Sequence, residues 1–271
     1  MKRIAVEIKR YIKIWRISLY CSLMQRMAYR FNFFLMCVGV FLDMILTLVF
    51  INVIFGFIDN LSGWTYEQAL IVVASYMIIE GLMWATCAYL AGISSNIKTG
   101  EMDCIIVKPV DTQFLVSVYK GDPEDWSRVI TALLVLIYAV KNLDIAGIVL
   151  AKNIFFYIIL LFNSFIIIYS ITLVVKSISF WTIEAGALWR FGQNITEMSK
   201  YPTDIFFHKA VRIIFSTIIP IAFIATVPAK ILIFGFDFYL IFFSFILAIS
   251  FFAISRKFWL FALKNYSSAS S

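Results

Sequence analysis

The sequence predicts an all-α, polytopic membrane protein with six transmembrane helices. Three observations carry that expectation. Hydrophobic residues fill 62% of the 271 positions, far more than a soluble domain of this length holds. The apolar residues fall into runs long enough to cross a hydrocarbon core of roughly 30 Å. Lysine and arginine collect in some connectors and are missing from others, as they do when basic loops stay on the cytoplasmic side.

The net charge of +7 is read as that same bias. No basic patch is interleaved with base-stacking aromatics, so no nucleic-acid partner is expected. Cys21, Cys37, Cys87 and Cys104 form no CxxC pair, and His208 has no partner histidine, so no metal site is expected. The first apolar run starts after thirty residues, is too long for a signal h-region and lacks an A-x-A site, so no cleavable leader is expected.

Residues 1–30 hold Lys2, Arg3, Lys9, Arg10, Lys13, Arg16, Arg26 and Arg30 against one acid, Glu7. Ile4, Ile8, Tyr11, Trp15 and Leu19 recur at helical spacing. The pattern predicts a basic amphipathic helix lying in the headgroup plane with Trp15 at the interface, and a cytoplasmic N-terminus. The plainer alternative is a solvated basic tail. The first span, 31–57, would reach roughly 40 Å as a helix and must tilt or protrude; Asp43 lies near its middle. The connector 58–67 has acids and no Lys or Arg, so it reads as external. The second span, 69–94, contains Glu80.

A polar stretch, 95–125, follows on the cytoplasmic side. Gly100 suits a positive-φ helix stop. Met102, Ile105 and Ile106 form an apolar triplet at i, i+3, i+4, and Pro109 ends that short helix. Asp111 or Thr112 can cap another. Gly121-Asp122-Pro123-Glu124-Asp125 reads as a strong helix start, with a cap, an early proline and acids in the first turn. The third span, 126–140, turns tightly at Lys141–Asp144, with Asp144 as the next cap, into the fourth, 145–175. The last span, 238–258, follows the cap Asp237. Its basic end, Arg256 and Lys257, and the polar tail place the C-terminus in the cytoplasm.

Residues 176–236 admit two readings. Hydropathy selects 205–226 as the fifth span. The alternative is 179–200, an unusually polar helix with Glu184, Arg190, Gln193, Asn194 and Glu197. Such a helix is tolerated only where its polar side faces protein or a wet cavity. The stretch 201–235, broken by Pro202, Pro220 and Pro228, would then dip into the outer leaflet and return. Gln193, Glu197 and Lys200 are spaced to share a face.

Several stretches resemble one family. Ile97-Lys98-Thr99-Gly100-Glu101-Met102-Asp103, followed by Lys108-Pro109-Val110, is similar to the loop between spans two and three of ABC-2 type transporter permeases. Ala28-Tyr29-Arg30-Phe31-Asn32-Phe33 resembles the lead-in to their first span. Tyr201-Pro202 with Asp204, Ile219-Pro220-Ile221-Ala222-Phe223-Ile224 and Pro228-Ala229 resemble the proline-marked segment before their last span. Tyr266-Ser267-Ser268 resembles their C-terminal signature. The resemblance covers the chain in order and spacing. It implies a cytoplasmic coupling helix, a re-entrant helical pair at 201–235 and the polar fifth span 179–200. It also implies a bacterial cytoplasmic (inner) membrane and export. The partners it implies are two copies of a separate ATPase and a second permease, identical or related.

The chain has no G-x-x-x-x-G-K-[ST] phosphate loop. ATP and Mg are therefore expected in the partner, with no cofactor and no catalytic residue here. The coupling contact is expected at Gly100, Glu101, Met102, Asp103, Ile105, Ile106, Lys108 and Pro109. Its apolar triplet would plug a cleft on the ATPase while Glu101, Asp103 and Lys108 fix orientation at the rim; otherwise the triplet merely rests on lipid. Glu184, Arg190, Gln193, Asn194 and Glu197 are the candidate translocation path. Asp43 and Glu80 are costly in lipid. They read either as contacts to a neighbouring Arg or Lys, or as the proton site of a secondary transporter or channel. A non-transporting scaffold is the third class.

Overall fold

The computed structural model describes residues 2–143, 147–182, 186–205, 216–217 and 219–266. Helix α1 (Lys2–Ala28) breaks at Tyr29 into α2 (Arg30–Phe57). A turn with Ser62 and Gly63 at positive φ brings Leu61 against Trp64. Thr65 and Gln68 then form a capping box that starts α3 (Tyr66–Cys87). A 3-10 turn (Ala88–Gly92) leads to α4 (Ile93–Thr99), α5 (Glu101–Ile106) and α6 (Thr112–Val118). Next come α7 (Asp125–Lys141), α8 (Gly147–Ser177) and α9 (Gly186–Glu197), the last continued by 3-10 turns at Met198–Lys200 and Thr203–Ile205. Helices α10 (Thr226–Phe234) and α11 (Phe238–Lys264) complete the order. Asp237 caps α11 through the amides of Tyr239 and Leu240. Among the described residues, four helical stretches are long and apolar enough to cross a membrane: Arg30–Phe57, Tyr66–Thr99, Gly147–Phe180 and Phe238–Lys264.

Helix α3 is the centre of the bundle. Every side chain from Ala69 to Ile79 is buried, as expected of a helix apolar on all sides. α7 packs along it so closely that a Cβ on Gly81 would meet the Val129 side chain at 2.8 Å. α2 and α11 keep broad apolar faces outward, including Phe34, Phe50, Phe242 and Phe252, which suits lipid.

Helices α3 and α8 run in the same direction, joined at Ser75–Tyr157 (2.9 Å) and at the Lys176 ammonium on the Ala91 carbonyl (2.8 Å). α11 runs parallel to α8: Asn163 bonds Ser244 (3.2 Å), Tyr169 lies 6.3 Å from Phe252, and Phe180 lies 5.5 Å from Trp259. α8 therefore ends at the α1 end of the bundle and α11 begins at the Trp64 end. The chain between must return once. The return leg is 186–205: Trp189 sits edge-on to Trp84, Lys200 lies over Tyr76, and Asp204 accepts from the Trp64 indole (3.1 Å). Hydropathy alone passes over this leg because α9 is polar, and half of the stretch it selects, 205–226, lies outside the described residues. The later chain lies back along α8. The Phe223 carbonyl accepts from Ser164 (2.7 Å) and the Leu232 carbonyl from Asn153 (3.0 Å). Residues 206–215 and 218, with His208, lie outside the described residues, as do Asp144, Glu184 and Ser267–Ser271.

Two local expectations need correction, and one is extended. The last helix continues past 258 to Lys264, and Arg256 within it pairs with Asp111 (2.5 Å). Asp122 does not cap α7; its carboxylate is taken by Arg26 (2.5 Å), and α7 starts at Asp125. On α1, Ile8 and Trp15 stay exposed, and the face turned inward is Tyr11, Ile14, Ser18, Ser22 and Arg26. That face runs alongside 109–124. Arg10 donates to the Pro109 carbonyl (3.0 Å), the Asp111 amide to the Tyr11 hydroxyl (3.4 Å), Ser18 to the carbonyls of Val118 and Tyr119, and the Gly121 amide to Ser22 (3.2 Å).

Gly121 sits where this strap meets the end of α3, and a Cβ there would lie 2.1 Å from the Ala85 carbonyl oxygen. Gly121→Val should therefore destabilise the fold by about 1–3 kcal/mol through overpacking. Gly39→Val, where a Cβ meets nothing within 4 Å, serves as the control. Thermal unfolding followed by tryptophan fluorescence separates the two.

Candidate functional site

The two acids flagged within apolar runs, Asp43 and Glu80, converge on one cation that sequence reasoning did not single out. Arg128, in the first turn of α7, binds Glu80 of α3 at 2.7 Å, Asp125 at 3.2 Å and Asp43 of α2 at 3.4 Å. Glu80 and Arg128 each expose 14% of their side chains and Asp43 49%, so the α3–α7 bond is the shielded one. The arrangement is an interhelical ion-pair cluster tying α2, α3 and α7. The signal available in the sequence was an arginine in the first turn of an apolar helix.

Beside Glu80 a narrow cleft opens between α3, α8 and α9, with Trp84, Thr172, Gln193 and Glu197 among its walls. Lys200 and Glu197 lie near enough to act electrostatically on Glu80. Gln193 and Glu197 of the expected path thus line the cleft beside Glu80. Arg190 does not; it lines a separate pocket with Lys98 and Lys176. Asn194 is exposed, and Glu184 lies outside the described residues.

The loop 93–125 forms the second half of the site. Gly100 has φ +77 and separates α4 from α5, a conformation open to glycine at no steric cost. Met102 and Ile105 are buried at 0% and 2% exposure within the chain's own core, and Ile106 is half-buried. They are not available as a plug for a partner. The i, i+3, i+4 spacing correctly marks an apolar face, but α6 and the core cover it from inside. What α5 presents outward is Glu101, Cys104, Val107 (80% exposed), Lys108 and Pro109. Lys108 leans over the Tyr119 ring at 4.7 Å, and Tyr119 packs on Tyr89 at 4.8 Å. Asp103 is turned toward the C-terminal Tyr266. Burial first, and then the Asp103 charge, push the Tyr266 phenol up to about 12.

Asp111 caps α6 through the Phe114 amide (3.0 Å) and binds both Arg256 guanidinium nitrogens (3.0 and 2.5 Å), joining the loop to α11. Burial alone would raise its carboxyl. The Arg256 hydrogen bonds and the Phe114 amide outweigh burial and hold it below the usual carboxylate range.

The fold and these sites define a multi-pass membrane protein whose polar clusters link transmembrane helices to an ordered loop. A family model described as ABC-2 family transporter protein matches residues 41–270, and the chain belongs to that family. It is accordingly an ABC transporter permease, the membrane component that associates with an ABC ATPase. No curated protein and no solved structure matches the chain.

Two predictions follow from the clusters. Arg128→Ala leaves Glu80 buried without its cation and should cost about 3–5 kcal/mol. Adding Glu80→Gln to that variant should recover part of the loss, whereas Asp43→Asn alone should change little; denaturation of the three variants forms the test. For Asp111 the depressed carboxyl binds its proton less readily folded than unfolded. Its contribution is therefore present above the ordinary carboxylate pKa and is lost as pH falls through the lower folded value. Arg256→Met should flatten the acid limb of a stability-versus-pH curve below about pH 4, leaving the neutral-to-alkaline region parallel to wild type.

Proposed function

We infer that this chain is the membrane-spanning subunit of an ATP-driven exporter, worked by a separate ATPase that docks on the α5 surface. The observation that carries the reading is α5 itself: a short ordered helix, pinned by two buried residues, that presents charged and apolar groups outward and is joined through α4 directly to the central helix α3. A push on Glu101 or Val107 passes along α4 into α3, and from α3 through Arg128 to α2 and α7. Rigid elements of this kind transmit domain closure as tilt.

The α1 end is cytoplasmic in this reading. Lys9, Arg10, Lys13, Lys98, Lys108, Lys120, Lys257 and Lys264 all gather there, as the positive-inside bias requires. Six spans then comprise the four long apolar helices, α7 and the return leg 186–205. The segment 221–235, lying back along α8, supports a re-entrant reading of 201–235. Two ATPases and a second permease, identical or related, complete the transporter in a bacterial inner membrane; ATP and Mg bind in the ATPases. The cleft bearing Gln193 and Glu197 is the favoured stretch of the path. A proton-coupled carrier would need Asp43 and Glu80 free to exchange protons, and their shared bond to Arg128 disfavours it.

The test is reconstitution with the ATPase. Glu101→Arg and Val107→Asp should lower permease-stimulated ATP hydrolysis about tenfold, a coupling loss of roughly 1.4 kcal/mol, while thermal stability stays at the wild-type value. Met102→Asp should instead unfold the loop. Full stimulation in both surface variants would remove α5 from the coupling role.

A further inference from the structure

One cluster is left unused by the ion-pair hub and by the coupling surface. Where α3 breaks into the 3-10 turn, a pocket opens between α4, the end of α8 and the start of α9. Its walls carry Lys98, Lys176, Arg190 and Ser94, and no acid among the described residues. Three cations are thus gathered from three elements. No ion pair involving them occurs among the described residues.

Lys176 is the anomaly. Only 4% of the residue is exposed, a burial that lysine adopts almost only when paired. Its ammonium donates to the Ala91 carbonyl at 2.8 Å and lies 3.8 Å from the centroid of the Trp189 ring. An ammonium has three N–H groups, so this carbonyl and ring face leave donor capacity over. The neighbouring walls are Ala91, Gly186 and Ala187, small residues that leave the space beside the cations unfilled. Holding like charges together is unfavourable, and a bound anion relieves it.

We propose that this pocket binds a phosphate-bearing anion. An Arg fork and two ammonium groups match phosphate oxygens in charge and in kind of donor, while Ser94 is held by the Ser179 hydroxyl at 2.6 Å. The surroundings suit the phosphate of an anionic lipid. Trp181, 44% exposed, follows the 3-10 turn Ile178–Phe180 that ends α8, tilted on Phe258 at 5.7 Å and stacked on Phe261 at 5.5 Å. An exposed tryptophan among phenylalanines marks headgroup depth in a bilayer. The pocket therefore lies at the level where lipid phosphates lie, with Lys98 and Arg190 on its exposed rim. The proposal is independent of the coupling assignment, since it places no demand on α5.

The test uses the full chain in nanodiscs of phosphatidylcholine, titrated with fluorescent phosphatidic acid and, separately, with the matching phosphatidylcholine probe. Phosphatidic acid should bind about tenfold more tightly. Lys98→Gln combined with Arg190→Gln, both exposed and so compatible with folding, should erase that preference. Lys9→Gln combined with Lys13→Gln removes the same charge from α1 and should keep it, which separates the pocket from general surface attraction. Inorganic phosphate is added as a competitor. Lipid retention that millimolar phosphate does not disturb assigns the site to lipid; displacement by phosphate keeps the anion site and assigns it to a soluble phosphate. Equal binding of the two lipid probes, or equal loss in both double variants, overturns the proposal.

Discussion

A buried helix cannot end without partners for its backbone, and the end of α3 is where this protein meets that constraint. The Trp84 carbonyl and the Tyr89 amide fall free where the helix tightens into a 3-10 turn. The strap takes both, through the Asp122 amide and the Lys120 carbonyl, each at 3.0 Å. Unsatisfied buried groups of this kind would cost about 1–3 kcal/mol each. Only a residue without a side chain can lie between them, and Gly121 does. The strap in turn gives α1 its serine-lined seat, gives Arg26 its carboxylates Asp122 and Glu124, and sets the start of α7 so that Arg128 faces Glu80. N-terminal helix, loop and ion-pair cluster all hang from one helix terminus.

That arrangement explains how polar chemistry is distributed in so apolar a chain. Several charges are held in sets: Arg128 with three carboxylates, Asp204 with Trp64 and Lys230, Arg256 with Asp111 and Gln113. Each set joins elements far apart in the chain, and each lies where helices meet. Buried ion pairs are poor sources of net stability. Their use here is register: they fix which helices lie together.

Much of the fold was legible along the chain. The capping roles of Asp111 and Asp237, the positive-φ stop at Gly100 and the main apolar helices depend on neighbours within a few residues, so local pattern revealed them. The site was less legible. Met102 and Ile105 announced an apolar face without announcing its cover. Asp43 and Glu80 announced a need for partners, but Arg128 stands 85 and 48 positions away. On α1, nothing local marked Ser18 and Ser22 as the residues that seat the helix, since their partners stand about a hundred positions away.

The sequence by itself determined that the chain lives in a membrane, that it carries no phosphate loop, and that an ordered, capped loop interrupts its apolar runs. These are properties of composition and of spacing within a few turns. Tertiary structure alone decided which side of α5 remains outward, that the polar stretch 186–205 makes the return leg, and that Gln193 and Glu197 share a cleft with Glu80 while Arg190 turns to Lys98 and Lys176. The physical reason is common to all three: periodicity shows which side chains share a face, and only packing shows what that face meets.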